Sequence, residues 1–286
     1  TPLCAERLAE AFSAGGLPDG VFQFLHLTHE DTARVIRNNR VNYVAFTGSV
    51  PGGEMVEKAA AGRFIGIGLE LGGKDPAYIR KDADLAYAVD TVMDGAFYNS
   101  GQSCCGIERV YAHEAVYDDF VKQAVDWVKS LKLGRSDDPE TTLGPLVKAS
   151  AADFVREQTR EAASQGAVLH IKNDGFPLDR PGSPYLAPQI LTEVNHSMRV
   201  MTEESFGPVV GIQKVSSDEE AVALMNDSQF GLTAAIFTSD IDKGIELGQQ
   251  LETGTFFVNR CDYLDPGLAW TGVKNSGHGC TLSVLG

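Results

Sequence analysis

Apolar and polar positions along the chain follow helical and strand periods in turn. Leu3, Leu8, Ala11 and Phe12 recur at helical spacing and predict a helix over residues 1–14. Gly15-Gly16 ends it, and Pro18-Asp19-Gly20 makes a turn. A strand is expected over 21–25, a helix over 29–39 and a strand over 42–46. A helix over 54–61 and a strand over 64–71 follow. Between that strand at 42–46 and the helix lies Thr47-Gly48-Ser49-Val50-Pro51-Gly52-Gly53, so this part reads as strand, glycine-rich turn, helix, strand.

The alternation continues with a helix over 84–98, a strand over 109–113 and a helix over 116–131. Phe120, Val121, Ala124, Val128 and Leu131 share one face of the last of these. Asp118 and Asp119 lie in its first turn and Lys129 and Lys132 at its end, as the helix dipole favours. Next come a helix over 148–164, a strand over 167–171 and a surface loop over 172–185, rich in Gly, Pro and Asp. Strands are expected at 187–191, 209–215, 232–238 and 255–259, with helices at 218–226 and 241–251 between the later ones. No internal repeat or low-complexity segment interrupts the series. Such alternation predicts an α/β fold.

Composition narrows the partners. The 286 residues are 43% hydrophobic and 22% charged, as in an ordinary globular protein with room for one large or two modest domains. A formal net charge of −15 disfavours nucleic acid and anionic membrane surfaces. No apolar run is long enough to span a membrane, and no signal peptide is visible in a chain that opens at Thr1. The five cysteines, Cys4, Cys104, Cys105, Cys261 and Cys280, are odd in number and mostly far apart. That suits a reducing, cytoplasmic location better than a disulfide framework. The histidines and cysteines lack metal-binding spacing, so no metal site is expected.

Three stretches carry candidate chemistry. In Gly68-Leu69-Glu70-Leu71-Gly72-Gly73-Lys74, the glycines end a strand and place Glu70 at its tip. In Phe97-Tyr98-Asn99-Ser100-Gly101-Gln102-Ser103-Cys104-Cys105, Gly101 breaks a helix just before the thiol. A thiol and a carboxylate suit covalent catalysis, in which the thiolate attacks a carbonyl and the carboxylate activates the thiol or a water. A free cysteine is more often a small buried hydrophobe, and a strand-end glutamate is more often solvated. The turn at 47–53 suits a phosphate, since helix-start N–H groups point outward, but a plain connecting turn fits equally. Glu203-Glu204-Ser205-Phe206-Gly207-Pro208 reads by composition as a polar turn with one buried aromatic.

Together these stretches resemble the aldehyde dehydrogenase superfamily. Glu70-Leu71-Gly72-Gly73-Lys74 and Phe97-x-x-x-Gly101-Gln102-x-Cys104 are similar to its glutamate and cysteine signatures, with Glu70 and Cys104 the expected 34 residues apart. The resemblance implies Cys104 as nucleophile and Glu70 as general base; Cys105 matches a variable position. It implies NAD or NADP as cofactor, with Gly48, Ser49, Gly53 and Leu71 at cofactor positions. Glu204 would bind the nicotinamide ribose and Phe206 would contact the nicotinamide side. Val50 and Pro51 depart from the commoner residues of that segment. Tyr98, Ser103, Cys105, Cys261, Leu264 and Trp270 match positions near the substrate entrance and suggest a partly apolar tunnel; Arg260 could pair with an anionic substrate, although a plain exposed arginine is the commoner case. Asn259, Gly272, Lys274, Ser276 and Gly277 match a late pattern read as structural.

The implied fold is a partial Rossmann-type cofactor domain at 1–71, an α/β catalytic domain at 72–270, and a segment at 271–286 returning toward the cofactor and oligomerisation region. The implied reaction is oxidation of an aldehyde to a carboxylic acid through a thiohemiacetal and a thioester on Cys104, with Glu70 activating the hydrolytic water. An acylating, coenzyme A-dependent enzyme and an inactive structural member of the fold are the alternatives. Acylating members usually lack the glutamate, so Glu70 favours hydrolysis. The resemblance places Thr1 in the middle of a typical member and Gly286 before its closing strand. The family's oxyanion-binding Asn and adenine-ribose site would lie upstream. The chain is thus expected to be part of a longer enzyme, inactive by itself, that works as a homodimer or homotetramer on a small aldehyde.

Overall fold

The computed structural model describes residues 2–286, so Thr1 of the first expected helix lies outside them. In chain order the larger elements are α1 (Pro2–Ala14), α2 (His29–Ile36), β1 (Tyr43–Thr47), α3 (Val50–Ala60), β2 (Gly66–Glu70), β3 (Asp75–Ile79), α4 (Leu85–Phe97), β4 (Ile107–His113), α5 (Glu114–Lys129) and α6 (Ala149–Ser164). Then follow β5 (Val168–Leu169), β6 (Gln189–Thr192), α7 (Arg199–Thr202), β7 (Val209–Val215), α8 (Asp218–Asn226), β8 (Phe230–Gly231), β9 (Thr233–Phe237), α9 (Ile241–Gly248), β10 (Thr255–Val258), β11 (Val273–Lys274) and β12 (Gly277–His278).

The chain divides into two compact units. One comprises the residues up to Val44 with Glu54–Ile67. In it, Thr28 caps α2 by accepting from Asp31 N, and Arg63 donates to the carbonyls of Ile36 and Val41. The face of α1 carrying Leu3, Leu8 and Phe12 is exposed. The strand expected at 21–25 does not form: its residues are in irregular backbone, with Phe22 against Phe12 at 4.9 Å between ring centroids. An apolar run becomes a strand only where a neighbouring strand takes up its backbone groups.

The second unit comprises Ala45–Gly53 and Gly68–Gly286. The glycine-rich turn at 47–53 therefore shares a compact unit with Cys104. The core is a seven-stranded sheet of order β10-β9-β3-β4-β7-β6-β5. Every adjacent pair is parallel except β5 with β6. A parallel sheet needs cover on both faces. On one face Ala77, Ile79 and Val110 pack with Val92 and Met93 of α4 and Phe120 and Val128 of α5. On the other, Tyr78, Tyr111 and Ile236 pack with Val155 of α6 and Val222 of α8.

Strand β3 was not foreseeable by pattern. Its sequence, Asp75-Pro76-Ala77-Tyr78-Ile79, opens with two residues that argue against a central strand. It is nonetheless buried throughout and flanked by β4 and β9. A register shift between Asp75 and Pro76 absorbs the missing N–H of the proline. The Asp75 carboxylate accepts from the Thr233 N–H and hydroxyl.

Immediately before β3, Lys74 is buried and its ammonium lies 2.5 Å from Glu108 of β4. Burial lowers the Lys74 pKa, and Glu108 opposes that shift. Glu108 also accepts from the backbone N–H groups of Ser205 (2.7 Å) and Phe206 (2.8 Å), and Lys74 donates to the Ser205 hydroxyl. Removing one member of a buried pair strands the other charge, which typically costs about 3–5 kcal/mol. Glu108→Gln is expected to lower unfolding free energy by about that amount in denaturant titrations. Lys74→Met combined with Glu108→Gln should cost less than the two single changes added together.

Candidate active site

Cys104 follows a segment that the backbone holds under constraint. α4 ends at Phe97, and Asn99, Ser100 and Gly101 take positive φ values of 49°, 59° and 72°. A Cβ at Gly101 would strike the backbone of Gly207, so the cysteine loop and the turn after Glu204 approach too closely for any other residue. Side chains secure the loop: Gln102 accepts from Val147 N at 2.8 Å, and Ser100 donates to Gly144 O at 2.9 Å. Cys104 itself is half-buried, whereas Cys105 is buried.

Glu70 is the last residue of β2, as the Gly72-Gly73 stop implies. Its carbonyl accepts from Gly48 N at 3.0 Å, which ties the strand end to the glycine-rich turn. Gly73 abuts the cysteine loop, since a Cβ there would lie 2.5 Å from the Cys104 carbonyl. A Cβ on Gly72 would collide with the Glu204 carboxylate. The three turns thus meet through their glycines.

A cavity of about 550 Å³ opens where they meet. Gly48, Ser49, Glu70, Leu71, Cys104, Glu204 and Phe206, residues singled out from the sequence, all line it. Gly53 does not; a Cβ there would press on the Leu71 side chain at 2.8 Å. Phe154, in the second turn of α6, and Lys148, the residue before that helix, complete a wall that carried no sequence signal. Ser49 caps α3, its hydroxyl accepting from Gly52 N.

The electrostatics single out two groups. Cys104 is held below the usual thiol range, chiefly by the hydrogen bond offered by the Cys105 thiol. Burial and the charges of Glu70 and Asp262 work against that. Cys105 is pushed far up by the same hydrogen bond and by burial. Its thiol also lies 3.0 Å from Asp262 Oδ1, so its single proton has two acceptors within reach. Glu204 is pushed up to about 7 by burial and by Glu108, although Gly73 N donates to it at 3.1 Å.

The residues expected near a substrate entrance separate into groups. Ser103 and Cys105 both donate to Asp262 Oδ1. Cys261 is buried with its thiol on Thr91 O. Tyr98 and Leu264 are exposed. Trp270 is 7% exposed, and its indole N–H donates to Glu70. The Arg260 guanidinium stacks 3.4 Å from the Tyr263 ring centroid. Of the late pattern, Ser276 donates to Gly72 O and Asn259 exchanges two hydrogen bonds with the Thr238 backbone. Asp262 and Thr281 escaped the sequence reading. Thr281 meets Glu70 across 211 residues, beyond the reach of any local pattern.

These features sit on the fold of a known class. The model of the aldehyde dehydrogenase family matches residues 1–284, and the chain belongs to that family. It is 37% identical over 285 residues to succinate-semialdehyde dehydrogenase [NADP(+)] 1 of Mycobacterium tuberculosis, covering 100% of this chain and 62% of the relative. Succinic semialdehyde dehydrogenase from Streptococcus pyogenes, solved with NADP+, aligns with a TM-score of 0.94 at 34% identity, over 100% of this chain and 62% of that one. Lactaldehyde dehydrogenase from Escherichia coli aligns with a TM-score of 0.94 at 33% identity, over 100% and 60%. The chain therefore spans about three-fifths of the length of these relatives.

Two outcomes follow from the titration of the site. The depressed Cys104 pKa predicts that iodoacetamide labels Cys104 with a pH midpoint below that of a free cysteine, and that Cys105→Ala raises the midpoint by removing the donor. Mass spectrometry of the labelled peptide reads this directly. For Glu204 the folded state holds the proton more tightly than the unfolded chain. Its contribution to stability is full below about 4.5 and is lost as pH rises through about 7. Glu204→Gln should flatten the stability profile between those limits in denaturant titrations.

Proposed function

We propose that the protein carrying this chain oxidises an aldehyde to a carboxylic acid with NAD+ or NADP+, through an acyl group carried on Cys104. The observation that supports this best is one cavity lined by both a thiol held below its ordinary pKa and a strand-end carboxylate. The Cys104 thiolate adds to the aldehyde carbonyl. Its own backbone N–H stabilises the oxygen on which charge develops. Glu70 then takes a proton from the water that releases the acid.

The same cavity suits a dinucleotide. Ser49 presents the start of the 11-residue helix α3, where backbone N–H groups favour a pyrophosphate. Glu204 offers a carboxylate that is half-buried and has one backbone donor on Oε1, which suits a ribose hydroxyl. The half-exposed Phe206 and the side chain of Leu71 supply apolar contact for a nicotinamide ring. When bound, the cofactor supplies the acceptor for hydride. Relatives named for succinate semialdehyde and lactaldehyde support a small aldehyde as the substrate.

In this reading residues 1–71 serve the cofactor, 72–270 the chemistry, and 271–286 return toward the cofactor region. Assembly as a homodimer or homotetramer and a cytoplasmic location belong to the same reading. The five cysteines are free thiols, which suits a reducing compartment. No helix among the described residues is long and apolar enough to cross a membrane.

Kinetics on the intact protein with propanal and NADP+ test the reading. Cys104→Ser is expected to abolish oxidation, while Cys105→Ala keeps substantial activity. Glu70→Gln is expected to keep a pre-steady-state burst of NADPH and to slow turnover by about 100- to 10,000-fold. An active Cys104→Ser variant beside an inactive Cys105→Ala would transfer the nucleophile to Cys105. Release of acyl-coenzyme A instead of free acid would replace hydrolysis by acyl transfer.

A further inference from the structure

Both oxygens of the Glu70 carboxylate are engaged, each by a different residue near the C-terminus. The Trp270 indole N–H donates to Oε2 at 2.8 Å, and the Thr281 hydroxyl donates to Oε1 at 2.9 Å. The two donors are joined to each other. Trp270 N donates to Thr281 O at 2.7 Å and Thr281 N to Trp270 O at 2.9 Å, an antiparallel bridge that closes the intervening segment into a loop.

That loop is docked on the strand that carries Glu70. β12 pairs antiparallel with β2, with Gly277 opposite Glu70 and His278 opposite Leu69. Gly277 has φ of 107°, and a Cβ there would collide with the Leu69 carbonyl. Leu71 N donates to Ser276 O at 3.1 Å. The backbone of the loop is thus registered against residues 69–71, and its two side-chain donors fall on the carboxylate they flank. Trp270 is further held by packing with Cys105 and Leu232, with Cys104 at the edge of the cluster.

We propose that Trp270 and Thr281 are positioning residues that hold the Glu70 carboxylate in its working orientation beside Cys104, an inference that rests on the reading of Glu70 as general base. A glutamate at a strand end has three side-chain torsions to search. One donor on each oxygen fixes both the direction of the side chain and the plane of the carboxylate. Each carboxylate oxygen has two acceptor positions, so one remains on each for water. The Trp270 N–H is committed to this carboxylate and its ring is buried.

The test uses the intact protein with propanal and NADP+, comparing the NADPH burst with steady-state turnover. Trp270→Phe keeps the ring and loses the donor. Thr281→Val keeps the shape and loses the hydroxyl, and Thr281→Ser restores it. Thr281 is exposed, so these two variants leave the core untouched and remain informative if Trp270→Phe fails to fold. Each loss of a donor is expected to preserve the burst and to slow turnover by roughly 10- to 100-fold, the scale on which small misplacements of a reacting group act. Thr281→Ser should recover most of the rate. Turnover unchanged in Trp270→Phe and Thr281→Val, or burst and turnover falling together, overturns the proposal. Glu70→Gln run in parallel separates the levels. If it turns over normally, the base assignment fails and this inference with it. If it is slow while the donor variants are normal, the positioning role alone fails.

Discussion

The Lys74–Glu108 ion pair is the constraint on which the site depends. It joins the residue before β3, the second residue of β4 and the turn that carries Glu204, three segments separated by 34 and then about 97 residues. Glu108 uses both oxygens, one on Lys74 and Ser205 N, the other on Phe206 N. A buried charge that satisfies two backbone N–H groups while paired has little freedom to move. The pair therefore sets where Glu204 and Phe206 stand relative to Gly72 and Gly73. It is a poor source of net stability compared with apolar packing of the same volume, but it places polar groups that apolar packing cannot orient.

Around this pair the turns come together by omission of side chains. Gly72 makes room for the Glu204 carboxylate, Gly73 for the Cys104 carbonyl, and Gly101 for the backbone of Gly207. Each contact brings a different turn toward the cavity. Any Cβ at these positions would push a functional group out of place, so the glycines act on geometry rather than on flexibility alone.

Where a feature was set by local chemistry, the sequence revealed it. The stop after β2 followed from Gly72-Gly73, and the end of α4 from Gly101, so the tip position of Glu70 and the turn position of Cys104 were both legible. β7 and α8 show the bounds that their alternation and apolar spacing imply. Features set by distant partners were not legible. β3 contradicts its own Asp-Pro opening because β4 and β9 flank it and a register shift absorbs the proline. The run at 21–25 has strand-like composition yet forms no strand among the described residues. The partner of the Trp270 N–H lies 200 residues away, beyond any local pattern. Composition reports what a side chain is, and only the fold reports which polar atom it must satisfy.

The thiol itself illustrates how such distant partners decide chemistry. Cys104 has a carboxylate nearby on two elements, Glu70 at the end of β2 and Asp262 after β10, and both charges oppose a thiolate. Left unengaged, two such carboxylates would favour the protonated and unreactive form. Each is instead occupied by two donors: Trp270 and Thr281 on Glu70, Ser103 and Cys105 on Asp262. Hydrogen bonding spreads the negative charge of a carboxylate onto its donors and reduces the field felt by a neighbour. The remaining influence is the neighbouring Cys105 thiol, whose hydrogen bonding lowers the Cys104 pKa. Burial and its hydrogen bonding keep the Cys105 thiol protonated, so it adds no negative charge beside Cys104.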